Sequence, residues 1–161
     1  MAAAVANLER ARLVGDREMA INRIFDAPRD RVFAAWIDPE AIGQWWGPRG
    51  FSTTTYSMEA QTGGMWKYTM HGPDGTNYPN EIRYEEVEIP ERIIYTTSGG
   101  QEDDDDIHTH RVIVEFREKG TKTEVSLRMI FPSTAERDQV VKVYDAVEGL
   151  NDTMDRLGEY L

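Results

Sequence analysis

The stretch Phe25 to Phe51, FDAPRDRVFAAWIDPEAIGQWWGPRGF, decides how the rest of the chain is read. It opens where a strand-like segment, Glu18 to Phe25, ends. Pro28 is read at the first position of a helix, where its missing N–H would have no partner anyway. That helix runs through Val32, Phe33 and Trp36 and should stop near Ile37. Asp38-Pro39 repeats the device, with a capping aspartate, a proline and a second short helix to Trp46. Then comes Trp45-Trp46-Gly47-Pro48-Arg49-Gly50-Phe51, with three large aromatics and one guanidinium around a Gly-Pro turn. Adjacent helical residues cannot both face inward. One tryptophan is therefore expected on the sheet and the other near an opening, with Arg49 along the rim. The plainer alternative is that both tryptophans only staple the structure.

Reading outward, residues 2–16 are Ala-rich and suggest a frayed helix, so residues 1–16 are expected to be a flexible segment ahead of a single domain over 17–161. Six strands should follow the two helices, over about 53–60, 65–71, 79–88, 92–98, 107–117 and 122–131. Gly63-Gly64, Gly72-Pro73-Asp74-Gly75, Pro90, Gly99-Gly100 and Gly120 divide them. Alternation is clean in several: Trp66, Tyr68 and Met70 on one face, Val112, Val114 and Phe116 on another strand, Val125, Leu127, Met129 and Phe131 on the last. Ser133 to Glu136 reads as a capping box. Apolar residues at 140, 143, 147, 150, 154, 157 and 161 then make one stripe on one long helix.

Strands joined by short turns pair antiparallel, and their apolar face needs a cover. The terminal helix is the element with a matching stripe. The expected fold is therefore α+β: a curved antiparallel sheet of about seven strands gripping a long C-terminal helix, two short helices closing one end, and a cavity wherever facing side chains fail to meet.

The bulk numbers narrow the function classes. A chain of 161 residues is long enough to bury a sizeable core. Its formal net charge of −11 repels nucleic acid and anionic membranes. It has no cysteine, which excludes disulfides, thiol catalysis and thiolate metal sites. No apolar run approaches membrane-spanning length and no signal pattern precedes residue 16, so a cytoplasmic location is expected. There is no P-loop, dinucleotide glycine pattern or Gly-x-Ser-x-Gly elbow.

The order of elements, with the strings FDAPRDRVFAAWIDPEAIGQWWGPRGF (25–51), GGMWKY (63–68), GPDGTNYP (72–79) and PERIIYT (90–96), resembles the START-like superfamily, also called SRPBCC. Within it, the chain is similar to the family named after the activator of the heat-shock chaperone ATPase, over roughly residues 17–161. The resemblance implies a helix-grip fold with a mainly apolar pocket between sheet and terminal helix. Members of the superfamily include lipid carriers, hormone receptors, aromatic polyketide cyclases, antibiotic-sequestering proteins and a cochaperone domain. Fold alone does not choose among them.

The candidate pocket residues are Trp45, Trp46, Tyr56, Met58, Trp66, Tyr68, Met70, Tyr84, Tyr95, His110, Val112 and Met129, answered from the helix by Val147, Leu150 and Met154. Ile93, Phe131 and Val143 fall on the same faces. Much of this set is ordinary core; the tyrosines are the informative part, because a buried hydroxyl left unpaired costs roughly 1–3 kcal/mol. His108 and His110 share a strand face, and Glu86 is the one carboxylate that might be brought to them, although Glu85-Glu86-Val87 has the look of a bulge. A metal set of two histidines and a carboxylate is thinkable there, as is a histidine acid–base. No third ligand is fixed, so neither a metal nor a cofactor is expected. The run Asp103 to Asp106 lacks the alternation and glycine of a calcium loop and reads as solvated.

Three functions compete. The first is binding of a hydrophobic or aromatic small molecule between sheet and helix. The second is a cyclase, dehydratase or hydrolase working in the same pocket, which needs His110 to face the cavity beside a carboxylate or tyrosine. The third is a cochaperone-like interaction. The similarity covers only the domain equivalent to the C-terminal part of the eukaryotic activator, so the expectation is against a chaperone partner. An open sheet edge is available for pairing in a homodimer. Small-molecule binding is the favoured reading.

Overall fold

The computed structural model describes residues 9–99 and 108–161. The expected acidic loop over 101–106 and residues 1–8 lie outside that range. The elements in chain order are β1 (Arg12–Val14), β2 (Glu18–Phe25), α1 (Arg29–Ile37), α2 (Pro39–Ile42), β3 (Ser52–Met58), β4 (Met65–His71), β5 (Asn77–Glu88), β6 (Arg92–Gly99), β7 (His108–Lys119), β8 (Lys122–Ile130), α3 (Thr134–Tyr144) and α4 (Ala146–Tyr160).

The strands form one antiparallel sheet in the order β1-β2-β8-β7-β6-β5-β4-β3. β3 to β8 are a meander, so each pairs with its sequence neighbour. β2 then closes against β8, with Ile21 opposite Leu127 and Phe25 opposite Thr123. This is the α+β helix-grip arrangement expected from the sequence, with an eighth strand added. That strand is β1, in which Arg12 to Val14 pair with Glu18 to Ala20. The tie comes from far away in sequence. Ala11 is buried, and its N–H donates to Asn151 Oδ1 on α4 at 2.7 Å.

The caps follow the local chemistry. Asp38 accepts from the Glu40 N–H at 2.9 Å and Ser133 from the Glu136 N–H at 3.1 Å. Pro28 lies one residue earlier than read, at the N-cap of α1, its carbonyl accepting from Arg31 and Val32. α2 is only one turn long, and Trp45 and Trp46 follow it in a continuing turn.

The terminal helix is broken, which corrects the single stripe. Asp145 takes a left-handed conformation (φ 50°, ψ 48°) between α3 and α4. The steps of three and four run on through the break in sequence, but the chain changes direction there. Val143 is thrown outward and is 60% exposed, whereas Val140 and Leu150 stay buried.

Candidate functional site

Two halves of the interior are packed differently. Under α1 the rings interlock: Phe33 meets Phe116 edge-on at 4.8 Å, and Trp36 meets Trp45 at 4.8 Å. Trp45 is fully buried and its indole N–H donates to the Ala35 carbonyl at 3.1 Å. Its neighbour Trp46 turns the other way, toward Trp66 at 5.0 Å and Tyr68 at 6.1 Å.

Trp46 lines a cavity that the side chains leave open between the sheet and the terminal helices. An inner chamber of about 220 Å³ is walled by Met19, Leu127, Met129 and Phe131 at one side, Trp36, Trp46, Tyr68 and Met70 at the other, and Val140, Leu150, Thr153 and Met154 from the helices. An outer vestibule of about 350 Å³ adds Phe51, Tyr78, Gly99, Val143 and Asp145. The two share Pro48, Met70, Asn80, Thr97, His110, Val140 and Tyr144, so they form one continuous space.

The walls are mostly apolar, with one polar band on the sheet. Tyr68 and Asn80 are cross-strand partners on β4 and β5; Thr97 and His110 are cross-strand partners on β6 and β7. Tyr95 lies two residues before Thr97 on the same face. The side chains of Trp46 and Thr97 hydrogen-bond the Tyr68 hydroxyl, yet burial dominates and pushes its pKa up to about 12. Burial likewise raises Tyr84 and Tyr95, and proximity among the three phenols adds to it. These hydroxyls stay protonated at any physiological pH. The Asn80 amide donates to the Tyr78 carbonyl at 2.8 Å. Gly99 makes room for it, since a Cβ there would lie 1.9 Å from Asn80 Oδ1. Among the described residues no lysine or arginine lines either chamber.

Two arginines hold the rim. Arg156 Nη1, from α4, donates to the carbonyls of Trp46, Gly47 and Pro48 at 3.2, 2.9 and 3.2 Å, and Nη2 reaches Gln44 O at 3.4 Å. The Arg49 N–H donates to Asp152 at 3.4 Å, and its guanidinium forks onto Glu159. The Gly-Pro turn that walls both chambers is thereby fastened to α4.

Of the residues read as pocket-facing, Trp46, Tyr68, Met70, Tyr95, His110, Met129, Leu150 and Met154 line the cavity. Trp45, Trp66, Tyr84 and Val112 are buried core instead, because other rings cover them before they reach the open space; Trp66, for example, stacks on Tyr68 at 3.9 Å and gives its indole N–H to Thr55. Met58 and Val147 are half-buried against that core. Tyr56 is 65% exposed, because β3 shifts register between Thr55 and Ser57 and turns it out. Asn80, Thr97, Met19, Leu127 and Val140 were missed as wall residues. Asn80 is in phase with Ile82 and Tyr84, and Thr97 with Tyr95, so alternation alone could have found those two.

The carboxylate read beside the histidines is elsewhere. β5 shifts register between Tyr84 and Glu86, and Glu86 pairs outside with Arg92 at 3.1 Å, which holds its carboxyl below the usual range. His110 packs its ring on Phe131 at 4.8 Å within the cavity wall. Among the described residues no group of three His, Asp or Glu is placed to hold a metal, and no helix is long and apolar enough to cross a membrane.

The model of the family described as "Activator of Hsp90 ATPase homolog 1-like protein" matches residues 26–161. The chain belongs to this family. Solved structures share the fold at low identity. A protein of Arthrobacter aurescens aligns with a TM-score of 0.87 at 22% identity, covering 95% of this chain and 91% of that one. One from Mycobacterium smegmatis aligns at 0.82 and 22%, covering 94% and 96%, and one from Staphylococcus epidermidis at 0.77 and 25%, covering 92% of each. No curated protein matches the chain. Family membership thus carries the architecture, and the chemistry has to be argued from the cavity.

Proposed function

We propose that this family member binds a hydrophobic or aromatic small molecule in the cavity between the sheet and α3–α4. The observation that carries the reading is the wall itself: apolar on the helix side, with a band of hydrogen-bonding groups, Tyr68, Asn80, Tyr95, Thr97 and His110, on the sheet side. Apolar walls with a few placed polar groups are the usual geometry of a small-molecule site. Among the described residues the lining has no lysine or arginine, which argues against a fatty acid or phosphate ester, whose charge would be buried without a counterion.

An enzyme in the same cavity is the weaker reading. His110 is in the wall, but among the described residues no carboxylate lines the inner chamber, and the phenols are held protonated by burial. They serve as hydrogen-bond anchors, not as bases. Chaperone activation is the activity in the family's name, but an enclosed cavity gives it no support. The acidic balance of the chain suits a cytoplasmic protein without nucleic-acid partners.

Native mass spectrometry of protein purified from its own organism tests the proposal, together with fluorescence anisotropy of 2-naphthalenemethanol. A reproducible small-molecule mass lost on denaturation, or saturable binding of the naphthalene alcohol, is expected. A clean apo mass together with no saturable binding would overturn it.

A further inference from the structure

The vestibule differs from the inner chamber in its chemistry. Three half-buried rings stand around it: Phe51 and Tyr78 have centroids 5.8 Å apart, and Tyr78 and Tyr144 6.2 Å apart at 80°. Asp145 lies in the same wall. Its carboxylate makes no capping bond to α4, although it occupies the N-cap position where aspartate usually caps. Resting on the small-molecule reading above, we propose that the vestibule is a cation subsite. The ligand it selects has an apolar or aromatic body for the inner chamber and a protonated amine or quaternary ammonium for the vestibule.

The electrostatics favour a cation by several independent routes. An ammonium seated among these rings falls within about 6 Å of more than one centroid, the range in which ring quadrupoles attract it. The helix break cancels its own field. The C-terminus of α3 and the N-terminus of α4 meet at Asp145, and their partial charges of about −0.5 and +0.5 offset each other. What is left is the full negative charge of Asp145. Among the described residues neither chamber presents a lysine or arginine to oppose it. The net charge of −11 adds long-range attraction.

Three naphthalene probes of matched size test this on the full chain: 2-naphthylmethylamine (cationic), 2-naphthalenemethanol (neutral) and 2-naphthoate (anionic). The expected order is amine, then alcohol, then carboxylate, with the amine about tenfold tighter than the alcohol. Asp145→Asn should remove most of that preference while leaving the alcohol within about twofold. Asparagine tolerates the left-handed backbone found at this position, so the variant keeps the fold. Tyr144→Leu removes one ring and should lower the preference by a second route. If the alcohol binds and the amine binds no better, the cation subsite is wrong and the cavity reading survives. An amine preference that persists unchanged in both variants places its origin outside the vestibule and also overturns the inference. If none of the three binds, the small-molecule reading falls and the subsite with it.

Discussion

Trp45 and Trp46 are neighbours in the chain and belong to opposite halves of one interior. Trp45 sits in the filled half, where Trp36, Phe33 and Phe116 are linked by edge-to-face contacts and its own N–H is satisfied by Ala35. Trp46 sits in the hollow half, where the sheet offers an equally aromatic face but the helices answer with Val140, Gly149, Leu150 and Thr153. The kind of residue on the sheet does not decide which half is hollow. The cover decides. Gly149 has no side chain to send across, and a Cβ there would come within 3.3 Å of Pro48 Cγ on the rim turn, tighter than an ordinary contact. The break at Asp145 then tilts Val143 away from the interior.

The harshest way to break this comparison is alkaline pH. If the hollow half were flooded, its tyrosines would titrate like exposed ones. Burial instead raises Tyr68, Tyr84 and Tyr95 above 10.0, their ordinary value. Above pH 10 the unfolded chain then releases protons that the folded chain keeps. Stability therefore falls as pH rises, by about 1.4 kcal/mol per pH unit for each such phenol. Between pH 10 and 12 the fold should be lost cooperatively, and the tyrosinate absorbance of the buried set at 295 nm should rise together with loss of circular dichroism. A single smooth titration near pH 10 with the fold intact would mean a wet cavity and no dry site.

Truncating the filled half comes next. Trp45→Ala should cost about 3–5 kcal/mol in urea denaturation, while the fraction that stays folded binds the naphthalene probes as the native chain does. A change in probe affinity comparable to the wild-type's own would show that the two halves are not separate.

The sequence makes the halves hard to tell apart for reasons visible in single residues. Strand phase was legible in part: Trp66, Tyr68, Val112 and Val114 are buried as alternation requires, while Met70 is half-buried and lines the cavity and Thr69, on the opposite face, is buried too. The caps at Asp38 and Ser133 were legible because each is a local hydrogen bond. Tyr56 was misplaced because one bulge residue inverts everything beyond it on an edge strand. The helix break was hidden because the apolar steps run across it without interruption, and an aspartate in the left-handed region announces itself by no pattern. Long-range polar ties were not legible at all. Arg137, buried, gives its guanidinium to the Gly15 and Glu18 carbonyls, and Asn151 holds Ala11. Nothing near those residues in sequence points to partners more than a hundred positions away.

A milder test separates the rim from the core. Arg156→Ala leaves the carbonyls of Trp46, Gly47 and Pro48 to water and loosens the rim turn, which then keeps only the Arg49 contacts to Asp152 and Glu159 on α4. The expected loss of stability is about 1–2 kcal/mol. The sharper signature is kinetic: dissociation of 2-naphthalenemethanol, followed by stopped-flow, should speed up several-fold while the rim is loose. Arg156→Lys, a single ammonium in place of a fork, should recover part of the stability but not the slow release. Unchanged release in the alanine variant would make Arg156 a structural tie with no role at the opening.

The smallest expected effect on stability is also the most discriminating between the halves. Adding volume to a close-packed interior forces side chains off their rotamers and costs about 1–3 kcal/mol. Val32 is completely buried in the filled half, and Val32→Phe should show that cost or more. Leu150 is nearly as buried, at 6% exposure, but it faces the 220 Å³ chamber. Leu150→Phe therefore has somewhere to put its ring, and the midpoint of unfolding should move by less than about 1 kcal/mol in either direction. The same substitution occupies the space a ligand's body would need, so binding of the naphthalene alcohol should disappear. A stable, folded Leu150→Phe that still binds the probe would locate binding elsewhere on the molecule. A Leu150→Phe as destabilised as Val32→Phe would mean that the chamber closes up in solution, and that the two tryptophans share one filled core after all.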